Sequence, residues 1–348
     1  MVRVIQWATG TVGRHAVEAM QALPGFEIVG AYVYSEDKVG RDLGAICGLS
    51  PIGVKATGDK AEILAMPADC VLYAPQGEGD PAGAIDDICA LLASGKNVVS
   101  TALTVLIYPK AAGPEVQGRL EAACREGGTS FHGTGIEPGW ACEVLPLAMS
   151  PLFRRIDSLL VQEILDYSSY PSAKMLFEGM GFGQPMQANQ RIPMPASAGT
   201  AFHAPLVMVA DAMGAAIDEV IYECEFAAAE KAFDITAGRI EAGTVAGKRY
   251  SFAAMIGGRP ALKIEHVTRL SPEVGRDWPV GRGWHVRIEG SPSMILETRI
   301  GIHGEDENDQ ACQATALHAV HAIPLVCAAQ PGVRTFLDLP MIVGRHVL

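Results

Sequence analysis

The sequence predicts an α/β chain: an N-terminal doubly wound parallel sheet, then an α+β domain with a mainly antiparallel sheet. Three observations carry this. Short, continuous apolar runs alternate with helical patterns up to about residue 140, as expected of strands buried on both faces by crossover helices. The first run breaks into a glycine turn that opens a helix. Beyond about residue 150, segments separated by Pro, Gly and Asn replace that alternation. The domains are therefore placed at 1–140 and 141–310.

Taken in order, Val2, Val4, Ile5 and Trp7 make the first strand. Ala8-Thr9-Gly10-Thr11-Val12-Gly13 is the turn, and Arg14, His15, Ala16, Val17 and Met20 begin a helix. Residues 26–34 read as the second strand, and 69–74 as another that ends in Pro75-Gln76-Gly77. A helix over 86–94 closes at Gly95, and a short strand follows over 97–101. The helix over 114–126 stops at Gly127-Gly128, and 130–135 is a strand feeding a glycine turn. Residues 158–167 begin the second pattern, and 217–226, 248–256, 261–270, 285–289 and 293–302 read as antiparallel strands. A last helix over 311–323 is expected to stop at Pro324.

Composition narrows the function. With 49% hydrophobic and 19% charged residues the chain can bury a sizeable core. A net charge of −12 without a Lys/Arg-rich run argues against nucleic acid and anionic membranes as partners. No apolar stretch approaches the length of a membrane span, and the N-terminus enters a strand directly, so a cytoplasmic enzyme is expected. The eight cysteines (47, 70, 89, 124, 142, 224, 312 and 327) are scattered without a C-x-x-C, as small buried hydrophobes are in a reducing compartment. His318 and His321 lie three apart on one helix, but no third ligand accompanies them, and no metal is expected.

Strand, glycine turn and helix start together describe a phosphate cradle. The backbone N–H groups of Gly10, Thr11, Val12 and Gly13 would approach a pyrophosphate at a helix N-terminus. The pattern departs from G-x-G-x-x-G at Ala8, and an ordinary βα turn with two glycines would read alike. The second strand runs into Ser35-Glu36-Asp37-Lys38, with Arg41 beyond. Ser35, Lys38 and Arg41 could take the 2′-phosphate of NADP(H), which is preferred; Glu36 could serve the ribose of NAD(H), and a solvated turn would carry the same charges. Pro75, Gln76, Thr101, Gly133 and Thr134 follow strand ends, where open α/β sheets bind ligands. Candidate acids and bases are Glu137, Glu163, Asp166, Tyr167, Tyr170 and His203, with Glu137, Tyr170 and His203 put forward as catalytic. Each has a structural counterpart: Glu137 as an acid at a helix N-terminus, the tyrosines as packing.

The stretch Val4-Ile5-Gln6-Trp7-Ala8-Thr9-Gly10-Thr11-Val12-Gly13-Arg14 resembles the opening of the dihydrodipicolinate-reductase-like oxidoreductases. Within these it is similar to the branch of 2,4-diaminopentanoate dehydrogenase and the native amine dehydrogenases. Further matches are Gly133-Thr134-Gly135-Ile136, Met180-Gly181-Phe182-Gly183, residues 242–247 and Pro331-Gly332-Val333-Arg334-Thr335-Phe336. The resemblance implies a Rossmann N-domain binding NAD(P)H, an α+β C-domain forming the substrate cavity, a segment over 311–348 returning to the N-domain, and a homodimer. Two departures matter. The His-His…Lys signature and the Asp-Ala-Pro-Ser-Gly-Thr-like loop of true dihydrodipicolinate reductases are missing, so that reaction is not expected. The resemblance also implies a catalytic Glu shortly after Ser100-Thr101, yet the chain reads Ala102-Leu103-Thr104-Val105-Leu106-Ile107-Tyr108-Pro109. Either another acid substitutes, Glu137 first, or the substrate is not an amine. The expected activity is hydride transfer from NAD(P)H to a small, apolar carbonyl or imine. The alternatives are an ammonia-dependent amine dehydrogenase with a relocated acid and a non-catalytic NADP(H)-binding redox sensor.

Overall fold

The computed structural model describes residues 1–194 and 202–348. They form two units, with residues 1–140, 202–204 and 312–348 in the first, and 141–194 and 205–311 in the second. The chain begins β1 (Val2–Trp7), α1 (Thr11–Ala22), β2 (Phe26–Tyr32), α2 (Leu43–Ile46), β3 (Ala56–Thr57) and α3 (Lys60–Ala65). It continues β4 (Cys70–Tyr73), α4 (Pro81–Ala93), β5 (Asn97–Ser100), α5 (Pro114–Gly127) and β6 (Ser130–Gly133). Next come α6 (Leu145–Met149), β7 (Arg155–Asp166), β8 (Gln190–Met194), α7 (His203–Ala212) and β9 (Glu219–Ala228). They are followed by β10 (Phe233–Ile235), β11 (Gly238–Ile240), β12 (Val245–Ile256), β13 (Arg259–Arg269), β14 (Gly283–Ser291) and β15 (Met294–Thr298). The chain closes with α8 (Glu307–Ala328) and β16 (Gly332–Val333).

In the first unit seven parallel strands stand in the order β16-β6-β5-β4-β1-β2-β3. Successive residues of a strand point to opposite faces, which is why these strands read as unbroken apolar runs. Val4 and Leu72 pack with Val17 and Met20 of α1 and with Ala319, Val320 and Ile323 of α8. Their neighbours Ile5 and Val71 face Ile88 and Leu91 of α4 on the other side. Each such buried aliphatic side chain contributes about 1.5–3 kcal/mol.

Two expectations are corrected here. The last helix does not stop at Pro324 but runs to Ala328 with the proline inside it. Proline has no N–H for the preceding turn, yet Ile323 and Val326 are fully buried on either side and packing holds the helix. This 22-residue helix is also long and apolar enough to cross a membrane, with a mean hydropathy of 1.3 in its best window. A third of that window is buried, and the helix supplies Ala316, Ala319, Val320, Ile323 and Val326 to the core.

The second unit holds a seven-stranded sheet in the order β15-β14-β7-β13-β12-β9-β8, antiparallel except for the parallel pair β7 and β13. Its register lines up one residue from each strand: Thr298, Trp284, Glu163, His266, Tyr250, Cys224 and Gln190. Paired residues share a face, so this is a row of side chains running across the whole sheet.

Candidate functional site

The cradle forms where β1 gives way to α1. Ala8 is left-handed, with φ 73°, a conformation that costs a non-glycine residue about 1–2 kcal/mol. Gly13 allows the turn to close: a Cβ there would stand 2.2 Å from the Ala8 carbonyl oxygen. Gly10 is the N-cap of α1, with no side-chain bond capping the helix and no acid in its first turn. Thr11 and Val12 are half-buried in that turn. A Cβ on Gly10 would meet open space. Uncapped first-turn amides at the positive end of a helix, clear of carboxylates, suit a pyrophosphate. A dinucleotide therefore fits the residues present. Lys38 Nζ donates to Thr9 Oγ1 at 3.1 Å, which holds an ammonium at the rim of this turn. Ser35 and Arg41 lie exposed on the same segment beside Glu36 and Asp37.

The other sequence-singled positions of this unit follow β4, β5 and β6. Pro75 and exposed Gln76 lead into a short 3-10 turn over Gly77–Gly79. The Thr101 N–H donates to Tyr73 O at 3.0 Å. At Gly133 a Cβ would stand 2.3 Å from Leu106 O, so packing itself demands a glycine. Thr134 is buried, and its Oγ1 lies 2.7 Å from His318 Nδ1. Burial, with the nearby His132 and His321, pushes the His318 imidazole down to about 4. Burial also pushes down His132, whose Nδ1 donates to Arg334 O at 2.7 Å, to about 4. Both rings are neutral at pH 7, and the Thr134–His318 bond is one between uncharged groups. Thr101, Thr104, Thr134, Glu137 and Thr315 line a cavity of about 60 Å³. Sequence reasoning missed Glu78, whose Oε1 accepts from Thr104 N at 3.0 Å and from Thr104 Oγ1 at 3.1 Å. The stretch without an acid of its own thus receives a carboxylate from the preceding loop.

In the second unit, the centre of the cross-sheet row is a hydrogen-bonded cluster. Glu163 Oε1 accepts from Tyr167 OH and faces His266 Nδ1, both at 3.3 Å, and Oε2 accepts from Trp284 Nε1 at 3.1 Å. Glu163 is 6% exposed, His266 3% and Trp284 2%. Tyr250 stacks flat on His266, with ring centres 4.7 Å apart. Tyr170 stacks on Tyr167 at 5.3 Å and reaches the cluster through it. Asp166 Oδ1 accepts from Ser168 N at 2.8 Å and shapes the turn after β7. His203 is fully buried at the first position of α7. Among these residues, His266 and Trp284 went unnoticed in the sequence, because only strand register sets them beside Glu163.

Comparisons with known proteins match this architecture. Residues 141–346 fit the model of the 2,4-diaminopentanoate dehydrogenase C-terminal domain, and residues 3–100 fit that of the dihydrodipicolinate reductase N-terminus. An amine dehydrogenase of Streptomyces virginiae is 37% identical over 350 residues, covering 98% of this chain and 97% of that protein. The chain belongs to the amine dehydrogenase and 2,4-diaminopentanoate dehydrogenase family. Within that family, a 2,4-diaminopentanoate dehydrogenase of Acetoanaerobium sticklandii is 27% identical, covering 98% of this chain and 94% of its own. The solved amine dehydrogenase of Mycobacterium smegmatis shares the fold, at 21% identity and a TM-score of 0.80, covering 99% of this chain and 97% of that one. Membership makes the chain an NAD(P)-dependent oxidoreductase with a small-molecule substrate, and the expected Rossmann and α+β architecture is borne out.

Proposed function

We propose that this family member is a cytoplasmic enzyme that uses NADPH to reduce a small, apolar carbonyl or imine, or runs the reverse reaction. The observation that carries the reading is the uncapped glycine cradle with Lys38 held at its rim on Thr9. A fixed ammonium there favours the 2′-phosphate of NADP(H), with Ser35 and Arg41 on the same segment. Glu36, in the same turn, keeps NAD(H) usable.

When bound, the cofactor would supply a hydride, and the amides of Gly10 to Gly13 would hold its pyrophosphate. Thr134, held by neutral His318, presents a fixed hydroxyl next to Gly133 at the end of β6. Pro75, Gln76 and Thr101 line the remaining strand ends.

A second reading, ammonia-dependent reductive amination, is favoured by one observation. Glu78 bonds Thr104 within the stretch where the resemblance implies a catalytic Glu. Glu137 lines the cavity that Thr104 shares. Either carboxylate would hold an ammonium ion. The name of the Streptomyces virginiae relative points the same way. A homodimer is part of this proposal. The sheet face opposite the Glu163 row carries the pairs Arg191–Glu223, Arg249–Glu265 and Arg287–Glu289.

The test is NADPH oxidation over cyclic and linear ketones, with and without ammonium. Turnover is expected. A strict ammonium requirement selects the amine dehydrogenase reading, and ammonium-independent turnover selects carbonyl reduction. No oxidation of NADPH with any ketone overturns both and leaves a cofactor-binding sensor.

A further inference from the structure

We propose that a cavity at the β16 edge of the first unit binds a small zwitterion of the α-amino-acid class, at a site separate from the cofactor cradle. The inference does not depend on which reaction the chain runs.

The first argument is size and place. A cavity of about 290 Å³ lies between α5, which contributes Gln117 and Glu121, the turn over 108–110, and residues 333–338 after α8. That volume is at the lower end of the range for small-molecule sites and suits a metabolite, not a dinucleotide. β16 is the edge strand of its sheet, and β1, which leads into the cradle, stands four strands further on. At ordinary strand spacing that separates them by roughly 19 Å.

The second argument is the arrangement of charge. Two cations, Lys110 and Arg334, and two carboxylates, Glu121 and Asp338, line the cavity. Glu121 Oε2 and Arg334 Nη2 stand 3.1 Å and 3.2 Å from the point that a Cβ on Gly332 would occupy. Such neighbours ordinarily close into an ion pair, but here each is tied to the backbone instead. Arg334 donates from Nε to Gln330 O at 2.7 Å and from Nη2 to Pro331 O at 2.8 Å. Glu121 Oε1 accepts from Val333 N at 3.3 Å. Asp338 Oδ2 accepts from Thr335 N and from Thr335 Oγ1, both at 2.8 Å. These bonds hold opposite charges side by side without letting them neutralise one another. Gly332, left-handed with φ 135°, keeps the gap between Glu121 and Arg334 open, because a side chain there would fill it.

The third argument is the chemistry that satisfies this arrangement. A simple anion would meet Arg334 and Lys110 but be repelled by two carboxylates, and a simple amine would meet the reverse. A molecule that carries both charges suits both sets. Arg334 Nη1 remains for a carboxylate, which matches the planar guanidinium, and Glu121 Oε2 remains to accept from an ammonium. Because Nη2 and Oε2 flank a single Cβ position, the two charges of the ligand must lie close together, as they do on the one carbon of an α-amino acid. Gln117, whose side chain makes no hydrogen bond among the described residues, adds a donor and an acceptor. Pro109 and Leu337, the latter 45% exposed, give the ligand's side chain an apolar rim.

The experiment uses the full chain and three probes of one shape. These are L-leucine, 4-methylpentanoate, which keeps only the carboxylate, and 3-methylbutylamine, which keeps only the ammonium. The local readout is the ¹H–¹⁵N signal of the Gln117 carboxamide, identified by its loss in Gln117→Leu. Leucine should shift that signal saturably, and each single-charge probe should bind there at least about tenfold more weakly. Leucine affinity should be equal with and without NADP⁺. Glu121→Gln and Asp338→Asn remove a charge but keep an oxygen for Val333 and Thr335. Both should melt near the parent, weaken leucine about tenfold and leave NADPH affinity within about twofold. Binding of 4-methylpentanoate as tight as that of leucine would make this an anion site and overturn the proposal. Competition between leucine and NADP⁺ would put leucine in the cradle and overturn it too. So would a Gln117 signal that ignores leucine, or a folded Glu121→Gln that binds leucine as the parent does. None of these readouts uses NADPH oxidation, so the functional reading stands or falls separately.

Discussion

The cofactor cradle and the Glu163 row are built by opposite means. The turn and helix start of the cradle lie within a few residues of one another in the chain, since these are local events. The row draws one residue from each of seven strands, from Gln190 to Thr298, with Glu163 lying before both in the chain. A contiguous motif shows its chemistry before the chain folds. A row assembled by register does not, because a slip of one residue would turn every member to the other face.

The largest expected effect breaks the cradle. In Gly13→Val the Cβ meets the Ala8 carbonyl, which is backbone and cannot swing away. The turn must open, and NADPH affinity should fall by more than about 10²-fold, with about 2–3 kcal/mol of stability lost. Gly10→Ala sharpens the contrast, since its Cβ meets no protein atom. Its melting temperature should stay near the parent's while cofactor affinity drops. Equal thermal losses in the two variants would show that Gly10 is structural as well.

The two faces of the second sheet invite the next test. Burial raises the Glu265 carboxyl, but Lys263, Gln162 and Arg249 outweigh it and hold the group below the usual carboxylate range. Glu265→Gln leaves Arg249 and Lys263 without their shared buried counter-charge. It should cost about 3 kcal/mol in urea unfolding and change neither NADPH affinity nor the pH profile of turnover. A changed pH profile would mean that the two faces are coupled.

The buried histidines of the first unit set its acid stability. His132 and His318 titrate at about 4 when folded, against 6.5 ordinarily. Between those values the unfolded chain binds more protons, so stability declines as pH falls from about 6.5 to about 4, then levels off for these groups. Each contributes roughly 3 kcal/mol at most. Urea midpoints at pH 7, 6 and 5 measure the slope, and His318→Asn should remove about half of it. An unchanged slope would place the acid sensitivity elsewhere.

A smaller effect concerns specificity. Lys38→Ala should weaken NADPH about tenfold and leave NADH within twofold, as expected for one charge-assisted phosphate contact. Equal loss of both cofactors would mean that Lys38 braces Thr9 rather than reading the 2′-phosphate.

What the sequence showed, and what it withheld, follows the same physics. The glycine turn was legible because it is contiguous in the chain, and Gly13 is set by backbone clearance to the Ala8 carbonyl. Cys70 to Tyr73 was legible as a doubly buried strand because all four residues are buried. Pro324 misled because local propensity argues for a stop, while the core contacts of Ile323 and Val326 decide otherwise. Glu78 stayed hidden because its role is a hydrogen bond between two loops, 26 residues apart in the chain. Glu163 was singled out as an acid among others, but its partners His266 and Trp284 come from strands that only the register brings alongside it.

The smallest expected effect tests whether the departure at Ala8 is tolerated strain or a requirement. Its φ of 73° lies where glycine is at home and alanine is not. Glycine there relieves about 1–2 kcal/mol of strain and returns part of it as greater freedom of the unfolded chain. Ala8→Gly should therefore gain roughly 0.5–1 kcal/mol, a rise of about 2 °C in Tm, with NADPH affinity unchanged. Ala8 is also buried, with only 7% of its surface exposed, and its methyl belongs to the core cluster around Trp7 and Tyr73. A fall in Tm would mean that this methyl contact outweighs the strain. The cradle would then be set by packing as well as by backbone clearance, which would bring it closer in kind to the row across the sheet.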